Sequence, residues 1–243
     1  MLYLISLGLF SVEDMSLRAL EVARKCECLF LEQYTTGLEF DIDRLSKLVG
    51  RPIKIVSRCD LEEGLQTILE LAKNTDVGIL VGGDALTATT HITIILEAKK
   101  QGIESKVIHG SSIYTAVAET GLQIYKFGRS TTLPKFKAIS PYEVIETNRK
   151  LGWHTLVLLD IGMTAKEGLE LLLELEREQR RNVISDDLEV VVCCRLGSED
   201  AVIKYGKICD LLRLKEIDRY PAVIIVPGEL HFVELEALER YRI

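Results

Sequence analysis

Apolar positions along this chain fall into short continuous runs, and the stretches between them repeat near the helical period. Residues 2–7, 28–33, 53–56, 76–81 and 106–109 are mostly apolar runs of strand length. The intervening segments, about 14–25, 41–48, 61–73 and 87–100, carry apolar residues on one helix face. In the first of these helices, Leu17, Leu20 and Val22 are the expected inward positions, with Ser11 or Asp14 as cap. A further short helix is predicted over 113–119. Strand and helix alternate throughout this half, which predicts a mostly parallel, Rossmann-like sheet.

The pattern weakens between Gly121 and Pro141, where Gly128 and Pro134 also fall. That segment reads as the passage between two domains. It then resumes with a helix over 142–151, a strand over 154–160 and a long helix over 165–181. Strands follow over 188–194 and 222–226, with a strand-like run at 206–212 between them and a last helix after Gly228. The fold class expected is therefore α/β, with an N-terminal domain over 1–127 and a C-terminal α/β domain with a mixed sheet over 128–243. The leucine-rich helix near 170–181 lacks the several heptads of a coiled coil, and no period of 20 to 50 residues repeats.

Composition narrows the function. Of the 243 residues 47% are hydrophobic, enough to fill cores, and the net charge of −7 disfavours a general nucleic-acid or membrane-surface binder. The apolar opening is too short to span a bilayer and lacks the marks of a signal peptide. The six cysteines include no C-x-x-C pair and read as free buried thiols in a reducing cytoplasm. No glycine-rich dinucleotide fingerprint, P-loop, G-x-S-x-G elbow or H-E-x-x-H helix occurs, so those chemistries and a zinc hydrolase are disfavoured.

The candidate chemistry centres on residues 76–91. An apolar run ends abruptly at Gly82-Gly83-Asp84, which places an acid at the carboxyl end of a strand. Ligands bind at that edge of an open α/β sheet. With the next helix predicted from Thr87, Asp84 reads either as a turn or N-cap aspartate or as an acid facing a ligand. Ser111 and Ser112 likewise read as helix caps or as a turn whose N–H groups receive a ligand. Asp160, at a later strand end, is a cap or a crevice acid. His109 ends a strand and is either a hydrogen-bonded structural histidine or a crevice group. Lys126, Arg129, Lys135 and Lys137 form a basic cluster that is either solvated surface or a face for an acidic partner.

Four segments together resemble one family. Gly82-Gly83-Asp84-Ala85-Leu86-Thr87-Ala88-Thr89-Thr90-His91 is similar to the GDPL-x-ATTH segment of the diphthine synthases, in the tetrapyrrole-methylase-like class of S-adenosylmethionine-dependent methyltransferases. Ala85 stands where that family usually has proline. The other three segments are Tyr3 to Leu9, Ser111 to Tyr114 with Gly121 to Gly128, and Val226 to His231. The resemblance implies a cofactor cleft between the two domains and contacts at Leu9, Asp84, Thr87, Ser112, Ile113, Leu159, Leu196 and Ala222. It implies no metal and names no catalytic residue. It further implies a cytoplasmic homodimer whose protein substrate is translation elongation factor 2. The acceptor is the amine of a 3-amino-3-carboxypropyl group on a histidine, and S-adenosylhomocysteine is the by-product. Methylation of a small tetrapyrrole on the same fold is the alternative, and a nucleotide-binding regulator without a reaction is another.

Overall fold

The computed structural model describes residues 1–37 and 40–243. The chain divides into two compact units, Met1–Tyr114 and Thr115–Ile243.

In the first unit the strands are β1 (Leu2–Ser6), β2 (Cys28–Glu32), β3 (Ile53–Val56), β4 (Val77–Val81) and β5 (Ser105–Ile108). All pair in parallel, in the order β3-β2-β4-β1-β5. β4 is buried at every position, as a central strand covered on both faces must be. Two apolar clusters, one on each face, contain Ile79 and Leu80 respectively, so alternate residues of one strand feed opposite cores.

The helices of this unit are α1 (Leu17–Lys25), α2 (Ile42–Val49), α3 (Arg58–Glu62), α4 (Leu65–Ala72), α5 (Ile92–Lys100) and α6 (Ile113–Ala116), which runs across the unit boundary. Three differ from the sequence pattern. α1 starts late because Asp14 is spent on a separate turn, its Oδ2 accepting from the N–H groups of Phe10 and Ser11, and Ser16 caps the helix instead. α1 buries Ala19 and Ala23, while Leu17 is 82% exposed. The predicted helix over 61–73 is two helices, because Ser57 and Asp60 open one early and the Gly64 N–H closes it on the Cys59 carbonyl. α5 begins at Ile92, well after Thr87, because side chains of the preceding loop capture its backbone groups.

The second unit holds β6 (Thr131–Leu133), β7 (Thr155–Leu159), β8 (Glu189–Cys194), β9 (Val202–Lys207) and β10 (Ala222–Val226), in the order β6-β7-β10-β8-β9. Only β6 and β7 pair in parallel, so the sheet is mixed, as expected. Its helices are α7 (Ser140–Lys150), α8 (Ala165–Gln179), α9 (Ile208–Leu211) and α10 (Phe232–Glu239). The strand-like run at 206–212 is the end of β9 followed by α9. The segment 121–141 is not a linker. It lies inside the second unit, contains the edge strand β6, and moves the boundary upstream of the expected 127/128.

Candidate active site

Because every strand of the first sheet runs the same way, the turns after β1, β2, β4 and β5 leave from one edge. The turns after β1 and β4 are stitched together. The Gly8 N–H donates to the Gly83 carbonyl at 3.2 Å and the Gly83 N–H to the Gly8 carbonyl at 2.7 Å. Gly83 has a φ of +70°, which only glycine adopts without strain, and a Cβ there would meet nothing within 4 Å. Gly110, after β5, packs so close that a Cβ would lie 2.8 Å from the Ser6 Cβ. The result is a wall of main chain, open at Gly83.

Asp84 organises this edge. Its Oδ1 accepts from the Leu86 N–H at 3.0 Å and the Thr87 hydroxyl at 3.3 Å. Its Oδ2 accepts from the Gly110 N–H at 3.2 Å and lies 2.8 Å from His109 Nδ1. The carboxylate thus ties the loop after β4 to the turn after β5. Burial by itself would raise its pKa, but these hydrogen bonds and the histidine outweigh burial and lower it. Asp84 is therefore held ionised. It is not an N-cap, since α5 begins only at Ile92. His109 is hydrogen-bonded as one reading expected, yet its side chain is 69% exposed at the edge.

Behind the loop lies a second pair. Glu32, at the end of β2, is fully buried and accepts from the Thr35 N–H and hydroxyl at 2.6 and 2.7 Å. His91 is 2% exposed, with Nδ1 3.2 Å from the Ala85 carbonyl, so that nitrogen carries the proton. His91 Nε2 lies 3.8 Å from Glu32 Oε2 and has no hydrogen-bond partner among the described residues. An orphan of this kind costs about 1–3 kcal/mol. Ser6 is also buried here, its hydroxyl accepting from the Ala85 N–H at 2.9 Å. Sequence reasoning passed over Ser6 and Glu32. The one available signal was a polar residue closing an otherwise apolar strand.

Of the expected contact residues in the first unit, Asp84 and Thr87 are joined directly, while Leu9 follows the Gly8 turn and Ser112 and Ile113 follow Gly110. Ser112 is buried and Leu9, Thr87 and Ile113 are half-buried. In the second unit, Val223 pairs with Leu158 and Ala222 with Cys194. This register puts Leu159, Ala222 and Leu196 at a single edge of the second sheet. Asp160 beside them is a turn residue, accepting from the Ile161 and Lys135 N–H groups, whereas Thr164 caps α8.

A model of the tetrapyrrole (corrin/porphyrin) methylases matches residues 1–212. The chain is 40% identical to a diphthine synthase of Methanococcus maripaludis and 41% to one of Methanocaldococcus jannaschii, over 98% of both chains in each case. A crystal structure of a diphthine synthase superposes with a TM-score of 0.91 at 34% identity, covering 99% of this chain and 95% of that one. The chain belongs to the tetrapyrrole methylases, among the diphthine synthases. It is a methyltransferase.

Family membership gives new meaning to the segments around Lys126 and His231. Glu234 on α10 is fully buried and accepts from the Lys126 ammonium, the Gln123 N–H at 2.9 Å and the His231 N–H at 2.8 Å. His154 Nδ1 accepts from the Gly228 N–H, so its Nε2 donates to Glu234 at 3.0 Å. Two of the four matching segments therefore meet in one ionic core, and Lys126 is structural. Lys137 is likewise paired, with Glu174 and Glu178. Arg129 and Lys135 are exposed and make no ion pair among the described residues.

The cysteines supply no nucleophile at either edge. All six are free, and burial pushes the Cys26 and Cys194 thiols up to about 12. Cys59, against expectation, is exposed. No set of three His, Cys, Asp or Glu among the described residues is placed to hold a metal ion, and no helix among them is long and apolar enough to cross a membrane.

Proposed function

We propose that the protein is a diphthine synthase. It transfers methyl groups from S-adenosylmethionine to the amine of the 3-amino-3-carboxypropyl-histidine of translation elongation factor 2, in the cytoplasm and as a homodimer. The observation that carries this reading is identity near 40% over 98% of the chain with proteins of that name. The small-tetrapyrrole alternative finds support only in the broader family model.

The residues at the first sheet's edge fit the cofactor. An anionic, rigidly held carboxylate suits a ligand that carries positive charge and hydroxyls. The open main-chain wall at Gly83 lets such a ligand approach closely, and Leu9 and Ile113 offer apolar surface. Leu9, Asp84, Thr87, Ser112 and Ile113 hold it. S-adenosylmethionine supplies a methyl group already activated on a sulfonium, so the protein's work is to align acceptor and donor. Asp84 does this by fixing two turns at once. Arg129 and Lys135 serve the encounter with the acidic faces of the protein substrate.

The test is incubation with labelled S-adenosylmethionine and elongation factor 2 bearing the unmethylated side chain, followed by mass analysis. Methyl groups on that side chain are the expected result, and a protein that labels only a tetrapyrrole sinks the reading. Asp84→Ala should weaken S-adenosylhomocysteine binding in calorimetry by about tenfold, the loss of one or two charge-assisted hydrogen bonds.

A further inference from the structure

The amine that accepts a methyl group is an ammonium at neutral pH, and its lone pair becomes nucleophilic only when the proton leaves. A group able to receive that proton stands at the first sheet's edge. His109 is placed by β5, which ends at Ile108, and its ring meets Asp84 through Nδ1 at 2.8 Å. Asp84 is ionised and can only accept, so Nδ1 carries the proton and Nε2 presents a bare lone pair. The side chain is 69% exposed while its carboxylate partner is 9% exposed. This is the arrangement of an oriented base, with one nitrogen pinned by a buried acid on a ring that is otherwise largely exposed. Asp84 is pinned in turn by the Leu86 and Gly110 N–H groups and the Thr87 hydroxyl, so the ring orientation is set by the same loops that line the proposed cofactor site. The other three histidines lack this geometry. His91 and His154 are buried, and His231 caps α10 through the Val233 N–H.

We propose that His109 is the general base of the methyl transfer, with Asp84 as the residue that fixes its tautomer. The inference rests on the function proposed above. Nε2 takes one proton from the acceptor ammonium. The freed lone pair forms the N–C bond as the C–S bond breaks, and that bonding pair stays on sulfur in the departing S-adenosylhomocysteine. The imidazolium then returns its proton to water, which its exposure permits, and is ready for the next methyl. No oxidant, metal or further reactant is needed. Asp84 is the ionisable side chain paired with His109 among the described residues.

The decisive variant is His109→Asn. Its amide nitrogen can still donate to Asp84 in place of Nδ1, but it has no group able to take a proton. Three measurements on the full chain read the outcome. Calorimetric binding of S-adenosylhomocysteine should match the parent, which shows an intact fold and cofactor site. Turnover on the elongation factor at saturating cofactor should fall about a hundredfold or more. It should recover in part as pH rises toward the amine's own pKa, and on addition of free imidazole. Independently of activity, nitrogen-15 spectra of the ligand-free parent should show His109 protonated at Nδ1, and Asp84→Asn should disturb that tautomer. Turnover within about threefold of the parent across the pH series overturns the assignment, as does an Nε2-protonated tautomer in the parent. If instead the parent neither binds S-adenosylhomocysteine nor methylates the factor, it is the underlying function that fails. Should His109→Asn misfold, His109→Gln and the tautomer measurement decide the question alone.

Discussion

At the scale of single residues, ionisable groups in this protein are buried where they knit loops and exposed where they can act. Glu234 is the clearest case of knitting. Burial alone would raise its pKa. Lys126, the His231 and Gln123 N–H groups and His154 overcome burial and bring it to about 2, from an ordinary 4.5. A carboxyl lowered on folding contributes stability that is complete above its unfolded pKa and is lost as pH falls toward the folded one. His154 is lowered from 6.5, chiefly by burial. Below 6.5 the unfolded chain takes up a proton that the folded ring refuses, so this residue too loses stability in acid. Both effects have one sign. Urea unfolding from about pH 7 to about pH 3 should show a steady decline, and Glu234→Gln should flatten its lower part. Glu234→Ala should cost about 3–5 kcal/mol, since it strands the Lys126 charge and a buried histidine. A loss below about 1 kcal/mol would mean that water reaches the cluster and satisfies it.

At the scale of elements, parallel strands of apolar residues carry the first sheet and small residues set how closely they pack. Gly78, in the middle of β4, shows this. A Cβ there would lie 2.8 Å from Leu29 Cδ2, 3.0 Å from Ile5 Cδ1 and 3.1 Å from Cys26 Sγ. Gly78→Ala should therefore destabilise by about 1–3 kcal/mol through overpacking, despite the better strand propensity of alanine. A thermal midpoint equal to or above the parent's would show that the three side chains move aside freely. The helices are legible to different degrees. α2 was readable, since the helix expected over 41–48 lies within one residue of Ile42–Val49, with the Asp41 side chain accepting from the Arg44 N–H. α5 was not. The start predicted at Thr87 follows the apolar period, but Asp84 and Thr89 bond to their own loop and Ala88 adopts a φ of +57°. Those bonds compete locally with the helix, and periodicity does not register them.

At the scale of the whole molecule, the proposed protein substrate would meet a chain of net charge −7. Two of the four cations expected to form a docking face, Lys126 and Lys137, are committed to glutamates within the second unit. The proposed encounter then falls to Arg129 and Lys135. Coulomb steering is screened over about 10 Å at 0.1 M salt. Charge reversal at both positions should slow methylation of the elongation factor most at low salt, with cofactor affinity unchanged. An unchanged rate across a salt series would move the docking face elsewhere. For the homodimer, sedimentation at micromolar concentration should report twice the 27.3 kDa of one chain, and a monomer at that concentration would end the proposal.

The alternation of strands and helices in the first half, the parallel first sheet and the placing of Asp84 at a strand's carboxyl end were determined by the sequence alone, whereas β6, the division of 61–73 into two helices and α9 were not. The first three follow from local quantities: apolar period, run length, and glycines that end a run. The four matching segments were enough to indicate the family. What only the tertiary structure decided is which polar groups meet. Asp84 reaches His109 and Gly110 from 25 and 26 residues away, and Glu234 reaches Lys126 from 108. No local signal encodes those separations, because partner choice depends on where the sheet delivers each loop. The same reason made Lys126 read as surface charge or docking face when it is a half-buried counter-ion, and left His109 open between a structural histidine and a crevice group, since its bond to Asp84 depends on where β4 and β5 deliver their loops.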